Sequence, residues 1–319
     1  MEIYHVILIA VAAAIVLIYF IMPTLIYKTA FGSRYDKNPK LKYFTAQDFK
    51  LVEQTVETEC NGVALRGAIY SKKPSVFCKN LVIFQHGMGP GHAAYMTEIA
   101  ALANAGHAVL ALDSFGCNLS EGKKLKGFYA ATECVIAAYN FAKNNKFLKD
   151  KPVYLMGHSW GGYAVCCATT QIKVEGVIAI SAPVSPTRAL AGVAKASFFN
   201  PVFRVLNRAH CGRNGNANAV KALQKSQVNA LLIHGEKDLV VKLFSSVAHV
   251  AKGKNVTKFI DKEKYHNPYN TVEAEKLLHE LNVALMDNYE QSYFNNFDFK
   301  AATEQDSVVM QQIKQFLKK

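Results

Sequence analysis

The sequence predicts an α/β fold with a mostly parallel sheet and helices on both of its faces. Short apolar segments alternate with longer segments of helical pattern through the middle of the chain, and strands that alternate with helices form parallel sheets through right-handed crossovers. The chain has 319 residues, of which 50% are hydrophobic, and this is enough for one large core. A third observation is a serine, Ser159, in a glycine-rich turn between a predicted strand and a predicted helix. Together these observations favour a single α/β domain over residues 49–319.

The first element of the chain is a predicted membrane-spanning helix. Ile3 to Met22 is a run of 20 residues without Asp, Glu, Lys or Arg, and about 20 apolar residues in a helix span the hydrocarbon core of a bilayer. A cleaved signal peptide has a basic start and a small-x-small cleavage site. This chain begins Met1-Glu2 and shows no obvious site of that kind after the run. We therefore predict an uncleaved anchor over residues 1–24, since a buried core helix would be shorter.

A basic linker is predicted over residues 25–48. Between Pro23 and Lys50 the acidic residues are Asp36 and Asp48, against six basic ones, which are Lys28, Arg34, Lys37, Lys40, Lys42 and Lys50. Positive charge accumulates on the cytoplasmic side of a membrane, so we predict that the domain after the linker faces the cytoplasm. The seven cysteines agree, because an odd, scattered set without C-x-x-C spacing is typical of reduced thiols and predicts no metal site.

The net charge of +13 is a possible sign of a nucleic-acid partner. However, the basic residues are spread through the chain, and no nucleic-acid-binding motif accompanies them. Basic residues near an anionic leaflet contribute about 1 kcal/mol each to membrane association. We therefore attribute the charge to the membrane and predict no nucleic-acid partner, while the oligomeric state does not follow from the sequence.

A β-hairpin is predicted at the start of the α/β domain. Residues 51–58 and 63–70 have strand composition and flank Cys60-Asn61-Gly62, and an Asn-Gly pair favours a tight turn. The alternation that follows predicts strands at 81–85, 108–112, 153–157, 176–181, 229–235 and 256–260, helices at 92–105, 128–145 and 160–171, and a C-terminal amphipathic helix at 307–319.

The turn Gly157-His158-Ser159-Trp160-Gly161 has the G-x-S-x-G pattern of a nucleophile elbow. The apolar run at 152–156 and the small apolar residues at 162–168 give it a strand before and a helix after. Such a sharp turn lifts the serine hydroxyl clear of the backbone. Glycines two residues away on each side let the turn close without side-chain clashes. Ser159 is therefore the candidate nucleophile.

A serine nucleophile needs a base that takes its proton and a carboxylate that orients the base. In this architecture the three residues follow the chain order Ser, Asp or Glu, His. Asp238 lies a few residues past the strand at 229–235, and His266 lies in the loop after the strand at 256–260. We predict His266 as the general base and Asp238 as the carboxylate.

Other roles for these residue types stay open at this point. Asp238 is alternatively a turn residue that caps a helix near Leu243, and His266 is alternatively an ordinary loop histidine. Rival carboxylates and histidines that we expect to be structural lie nearby: Glu236, Asp261, His234 and His249.

An oxyanion hole is also required, because the tetrahedral intermediate carries negative charge on the former carbonyl oxygen. One donor is predicted to be the backbone N–H of Trp160, directly after the nucleophile, and the second that of Met88 in the glycine-rich loop at 86–91. The alternative for this loop is a turn without function or a phosphate-binding loop. The second is weak, because neither G-x-G-x-x-G nor the Gly-Lys-Ser/Thr ending of a P-loop is present.

From about Phe49 to its C-terminus the chain resembles the α/β-hydrolase superfamily, and it is most similar to the branch of monoacylglycerol lipases, carboxylesterases and serine aminopeptidases. The motifs that carry the resemblance are His86-Gly87-Met88-Gly89, Asp113-Ser114-Phe115-Gly116 with Ser120-x-Gly122, the elbow, His234-Gly235-x-x-Asp238 and His266. The resemblance implies the α/β-hydrolase fold and serine chemistry without a cofactor, but says little about the substrate. Two departures are Trp160, where many relatives have a smaller residue, and the absence of an arginine from the Asp113 loop.

The alternation of strands and helices breaks between about residues 186 and 227, where relatives of this fold have a cap or lid over the active site. The segment contains Phe198, Phe199 and Phe203, interleaved with arginines. We predict that these rings bind an acyl chain, and the alternative is that they pack the cap onto the domain.

The sequence thus predicts a membrane-anchored serine hydrolase that cleaves a carboxylic ester of a lipophilic acyl substrate. An aminopeptidase or amidase is one alternative, although the cap lacks the Asp or Glu expected to bind a substrate amine. An acyl-thioesterase and a non-catalytic, membrane-tethered binding module are the others. No cofactor is expected.

Overall fold

An eight-stranded sheet is the centre of the computed structural model, which describes residues 3–194 and 197–318. The strands are β1 (Val52–Cys60), β2 (Val63–Ser71), β3 (Leu81–Gln85), β4 (Ala108–Leu112), β5 (Val153–His158), β6 (Gly176–Ile180), β7 (Asn229–Gly235) and β8 (Val256–Asp261). Their order is β1-β2-β4-β3-β5-β6-β7-β8. The pairs β1–β2 and β2–β4 are antiparallel, and the other neighbours are parallel. This topology confirms the predicted α/β fold.

Helices lie on both faces of the sheet. The α-helices of the described residues are α1 (Ile3–Phe31), α2 (Met96–Asn104), α3 (Ala130–Asn144), α4 (Trp160–Ala168), α5 (Pro186–Ala194), α6 (Asn200–Cys211), α7 (Ala219–Ser226), α8 (Val247–Val250), α9 (Val272–Met286), α10 (Gln291–Asn296) and α11 (Ser307–Phe316). Because successive strand residues point to opposite faces, Ile83 packs into the core that contains α3 and α4, whereas Val82 and Phe84 pack into the core that contains α2 and α11.

Two helices near the C-terminus have no counterpart among the predicted elements. Helix α9 begins at the cap residue Thr271, whose hydroxyl accepts a hydrogen bond from the N–H of Ala274 at 3.1 Å. Leu281 and Ala284 of α9 pack with Phe294 of α10 in a small separate cluster.

The N-terminal helix α1 is long and apolar enough to cross a membrane by its length and composition, with a mean hydropathy of 2.9 over its most apolar window. Residues 3–18 are exposed. The helix does not end near residue 24, where we predicted the linker to begin, but runs through Pro23 to Phe31. A proline removes one helical hydrogen bond. Burial of Tyr27 and Phe31 in the domain core offsets this loss and keeps the last two turns helical.

The cap segment between β6 and β7 is helical, with α5, α6 and α7 in the range predicted for the cap. In α7, Asn218 caps the helix by accepting a hydrogen bond from the N–H of Lys221 at 3.0 Å. The cap segment contacts the N-terminal helix, because α6 packs against α1.

The strand register brings the predicted functional loops to one edge of the sheet. In the parallel part, Gln85 at the end of β3 pairs with Gly157 of β5, His158 pairs with Ile180 of β6, and Gly235 of β7 pairs with Asp261 of β8. All of these positions are at the carboxyl ends of their strands, where ligands bind in open α/β sheets.

Candidate active site

Ser159 occupies the sharp turn between β5 and α4 with φ 55° and ψ −116°. A non-glycine residue with positive φ is strained, and such strain clusters at functional sites. The turn is held by a hydrogen bond from the N–H of Ser159 to the carbonyl of Ile180 at 2.8 Å. A Cβ at Gly157 would clash with the backbone of Gly161, and one at Gly161 with the carbonyl of Gln85. The glycines of the motif are therefore required by close backbone contact.

Asp238 and His266 lie side by side. The Nδ1–H of His266 donates a hydrogen bond to Oδ2 of Asp238 at 2.8 Å, which leaves Nε2 of His266 as the basic nitrogen. The other oxygen of Asp238 accepts hydrogen bonds from the N–H groups of Val240 and Val241 at 2.8 and 2.9 Å. Burial opposes the charged carboxylate, but the hydrogen bond and charge of His266 hold the pKa of Asp238 below its usual value.

The alternative carboxylates and the nearby histidine are exposed or have hydrogen-bond partners other than His266. Glu236 is exposed, and Asp261 accepts a hydrogen bond from the N–H of Glu263 at 2.9 Å. His234 is buried and donates from Nε2 to the carbonyl of Val241 at 2.8 Å, so that it braces the loop that carries Asp238. The structure thus pairs His266 with Asp238, and Asp238 serves at the same time as the turn residue of its loop.

The backbone of His266 is held from both sides. Its carbonyl accepts hydrogen bonds from the hydroxyl of Ser181 at 2.7 Å and from Nε2–H of His158 at 2.9 Å. The carboxylate of Glu275, in the first turn of α9, accepts the N–H groups of Tyr265 and Asn267 at 2.9 and 2.8 Å. These contacts fix the position of the loop, and therefore of the imidazole.

The contact between Ser159 and His266 stays a prediction. His266 lies against the elbow, because its ring centroid is 4.8 Å from that of His158, the residue before Ser159. Within residues 3–194 and 197–318, however, no hydrogen bond joins the Ser159 hydroxyl to the imidazole. Catalytic hydrogen bonds are often long before substrate binds and shorten in the complex.

Tyr95 and His158 connect this loop to the predicted oxyanion loop. The hydroxyl of Tyr95 accepts the N–H of Gly87 at 3.0 Å and donates to Nδ1 of His158 at 2.9 Å. Because His158 also donates to the carbonyl of His266, one chain of hydrogen bonds runs from the loop after β3 to the general base. Burial lowers the pKa of His158 to about 3, so this histidine is neutral at physiological pH and can serve as both acceptor and donor.

The low pKa of His158 predicts a loss of stability in acid. Its pKa is about 3 in the folded chain against the ordinary value of 6.5. Between these values the unfolded chain binds a proton that the folded chain does not, so the free energy of unfolding falls as the pH falls from 6.5 towards 3. His158→Gln keeps a donor and an acceptor but does not titrate, and we expect a shallower fall. Denaturant unfolding at several pH values, followed by the fluorescence of Trp160, the single tryptophan, measures the slopes. Equal slopes for both proteins would contradict this assignment.

A cavity of about 480 Å³ opens at Ser159. Met88 and Trp160, the predicted oxyanion donors, line it together with Ser159. Trp160 is the first residue of α4, so its N–H has no acceptor within the helix and lies at the positive end of the helix dipole. The indole of Trp160 is itself buried, with Nε1–H donating to the carbonyl of Phe128 at 2.6 Å. The donor roles of the two amides stay predictions.

The remaining walls of the cavity are mostly apolar. Besides residues of α1, they include Tyr35, Phe128, Pro183, Ala189, Leu190, Val240 and Val241. A larger hollow of about 760 Å³, lined by residues that include Phe44, Thr97 and Gln305, contains none of the predicted site residues. Of these two hollows, the Ser159 cavity is therefore the one that combines apolar walls with the candidate nucleophile.

The three cap phenylalanines, for which we predicted substrate binding, lie outside this lining, and that role stays a prediction. Phe199 and Phe203 are buried, and exposed Phe198 stacks on Tyr19 of α1 with 6.3 Å between ring centroids. The hydroxyl of Tyr19 also donates to the carbonyl of Phe198 at 3.0 Å. Phe198 and Phe199 thus contact Tyr19 of α1, whereas Phe203 contacts Phe199.

Sequence reasoning missed four residues around the general base: Tyr95, His158, Ser181 and Glu275. His158 occupies a variable position of the elbow, and no motif includes the other three. The one available signal was Thr271, a cap residue that marks the start of α9 and so places Glu275 in its first turn.

The absence of an arginine from the Asp113 loop has a structural counterpart. Asp113 is fully buried and accepts hydrogen bonds from both the N–H and Nδ1 of His92 at 2.7 Å. Its second oxygen accepts from the side chain of Asn118 and the N–H of Leu119. The partner of Asp113 is therefore a buried histidine.

A family model described as alpha/beta hydrolase fold matches residues 80–202 of the chain. The match includes Ser159 but ends before Asp238 and His266. A comparison with curated proteins finds no match.

Several solved structures are similar to this chain. An esterase of Pyrococcus furiosus has 18% identity and a TM-score of 0.59, over 87% of this chain and 96% of that one. The acylaminoacyl peptidase of Pyrococcus horikoshii has 17% identity and a TM-score of 0.53, over 82% of this chain and 44% of that one. An alpha/beta hydrolase from a Penicillium species has 18% identity and a TM-score of 0.53, over 74% and 99%. At these identities the likeness shows the fold alone.

Proposed function

We propose that this chain, which has the α/β-hydrolase fold, is a membrane-anchored serine hydrolase that cleaves a carboxylic ester of a lipophilic acyl substrate. The observation that carries the proposal is the apolar cavity at Ser159, beside a histidine whose Nδ1 is bound to a buried carboxylate. An apolar cavity with few polar groups suits an acyl chain with one reactive carbonyl.

In the proposed reaction, Ser159 Oγ attacks the ester carbonyl while Nε2 of His266 takes the hydroxyl proton. The tetrahedral intermediate collapses as the C–O bond to the alcohol breaks and His266 gives its proton to the departing alcohol. A water molecule then attacks the acyl-enzyme, its proton goes to His266, and the acid leaves as that proton returns to Ser159 Oγ. The products are one alcohol and one carboxylic acid, and no cofactor takes part.

Two electrostatic features support this chemistry. The depressed pKa of Asp238 keeps its carboxylate charged, so that it stabilises the imidazolium that forms on His266 in each step. The N–H groups of Met88 and Trp160 are the proposed donors to the oxyanion. Removal of a single such donor typically costs about 100- to 1,000-fold in kcat.

Labelling with a fluorophosphonate probe tests the proposal, because such probes react with activated serines. The full-length protein in detergent should be labelled, and both heating and Ser159→Ala should abolish the label. A folded wild-type protein that takes no label would be the non-catalytic binding module instead. A panel of p-nitrophenyl esters, monoacylglycerols, acyl-thioesters and aminoacyl amides then separates the esterase from the thioesterase and the amidase.

Membrane attachment through α1 is part of the proposal. The helix has no Asp, Glu, Lys or Arg from Ile3 to Tyr27, and 6% of its most apolar 18-residue segment is buried within the fold. The surface of that segment is therefore free to contact lipid. The basic residues that follow favour a cytoplasmic catalytic domain. Protease added to intact cells should leave the domain uncut, and digestion from outside would reverse the orientation.

Glu275→Ala is expected to lower kcat for a short-chain ester by up to about 100-fold, because a small displacement of a catalytic group is this costly. The substitution removes the acceptor for the two N–H groups that flank His266. Steady-state kinetics measures the effect. Glu275→Gln keeps one acceptor oxygen and should recover part of the loss. Glu273→Ala is the matched control, since Glu273 lies in the same helical turn but is exposed. Equal kcat values for wild type and Glu275→Ala would show that His266 is held without this carboxylate.

A further inference from the structure

One side of the anchor helix is part of the wall of the Ser159 cavity. Met22, Leu25, Ile26, Thr29 and Ala30 all line the cavity. Their spacing of three and four residues places them on one face of α1. The helix that would attach the protein to a membrane therefore also shapes the space next to the candidate nucleophile.

This wall is fixed to the domain. Tyr27 and Phe31 of α1 are buried in the main core. Tyr27 stacks on His210 of α6 with 4.9 Å between ring centroids, and Phe31 meets Phe128 edge-on at 6.1 Å. Phe128 itself lines the cavity. The last turns of α1 are thus a packed part of the fold and hold the cavity-lining face in a defined place.

The cavity begins where the proposed membrane span ends. Ile3 to Met22 is long enough for the hydrocarbon core of a bilayer, and Met22 is the first residue of α1 that lines the cavity. Leu25, one turn further, has about half of its surface exposed. The apolar lining is therefore continuous along α1 with the surface that faces lipid, and the cavity meets the bilayer near its interface.

We propose that Met22, Leu25 and Ile26 form the acyl-binding wall, and that the substrate is a bilayer lipid ester whose chain enters the cavity along α1. With the ester carbonyl at Ser159, the chain extends along the helix towards the hydrocarbon core. It then keeps apolar surroundings throughout, whereas transfer of each methylene through water is unfavourable. This inference rests on the proposed function, to which it adds the substrate class and the specificity-determining residues.

The test compares Leu25→Trp with Leu17→Trp in the full-length protein reconstituted in lipid vesicles. Both residues are exposed leucines of α1, but Leu25 lines the cavity and Leu17 does not belong to its lining. The readout is the ratio of kcat/KM for a p-nitrophenyl ester of a long-chain acid to that for p-nitrophenyl acetate. A single methylene in an apolar pocket is worth about 10- to 200-fold in discrimination. Leu25→Trp should therefore lower the ratio by at least about 10-fold, and Leu17→Trp should leave it unchanged.

Leu25→Ala provides a second, opposite change, because it enlarges the cavity and should shift the preferred acyl chain to a greater length. Each variant must still be labelled by fluorophosphonate at Ser159. Under that condition, an unchanged ratio of kcat/KM in both Leu25 variants, or an equal fall of the ratio in Leu17→Trp, would overturn this inference and leave the proposed function standing. A wild-type protein that takes no label and hydrolyses neither ester would overturn the proposed function, and this inference with it.

Discussion

Ser159→Ala is expected to lower kcat/KM for an ester by about 10⁴- to 10⁶-fold, since loss of a serine nucleophile removes the acyl-enzyme route as a whole. The alanine keeps the backbone of the elbow, where Ser159 has φ 55°, and leaves the proposed oxyanion donors in place. The variant should therefore still hydrolyse the ester somewhat faster than the uncatalysed reaction in water, because substrate binding and the oxyanion hole remain. Assays with p-nitrophenyl butyrate, with circular dichroism to verify folding, measure the loss.

A matched control for this substitution is Ser292→Ala, because Ser292 is exposed in α10, which packs against Leu281 and Ala284 of α9 in a separate cluster. It should keep wild-type kinetics. Near-wild-type turnover by purified Ser159→Ala would show that another residue is the nucleophile, or that the activity comes from a contaminant.

Asp238→Asn is expected to lower kcat by about 10⁴-fold through the tautomer of His266. The amide oxygen of the asparagine would still accept the N–H groups of Val240 and Val241, as Oδ1 of Asp238 does. Its NH₂ group would then face Nδ1 of His266 and donate to it. The imidazole proton would move to Nε2, the nitrogen that must accept the proton of Ser159. Folding should be retained, because the geometry of the loop is preserved.

The rival carboxylates provide the controls for Asp238. Asp261→Asn and Glu236→Gln should each leave kcat close to that of the wild type, since neither side chain is the partner of His266 in the structure. A larger loss of kcat in Asp261→Asn than in Asp238→Asn would show that Asp238 is not the carboxylate that orients His266. Loss of the folded state in Asp238→Asn, seen by thermal unfolding, would instead indicate that the carboxylate acts mainly in stability.

Much of the sheet is predictable because strands β3 to β7 are buried on both faces and are therefore short, continuous apolar runs. Each run is bounded by turn residues, and the loops after β5, β7 and β8 carry the serine, aspartate and histidine in the order that the chemistry needs. That order favours a contact between Asp238 and His266, since parallel strands end at a common edge. The choice of Asp238 over Glu236 and Asp261 required the coordinates.

Other parts of the site leave no local pattern. Glu275 reaches the loop of His266 because α9 turns back towards the sheet, and a glutamate in the first turn of a helix is common for electrostatic reasons alone. Helix α1 is apolar on every side from Ile3 to Tyr27, so its periodicity cannot distinguish the face that lines the cavity from the other faces. The phenylalanines of the cap were the more obvious candidates for an acyl wall, yet Phe198 and Phe199 pack against Tyr19.

The rigid junction at Tyr27 and Phe31 has a consequence for how such a protein meets its substrate. A domain on a loose tether samples many heights and tilts above a membrane. With α1 as the proposed membrane anchor, this domain would keep a fixed orientation relative to the bilayer, and encounters would depend on lateral diffusion within a single leaflet. Turnover should follow the mole fraction of the lipid ester in the bilayer, and dilution of the vesicles with buffer should leave it unaffected.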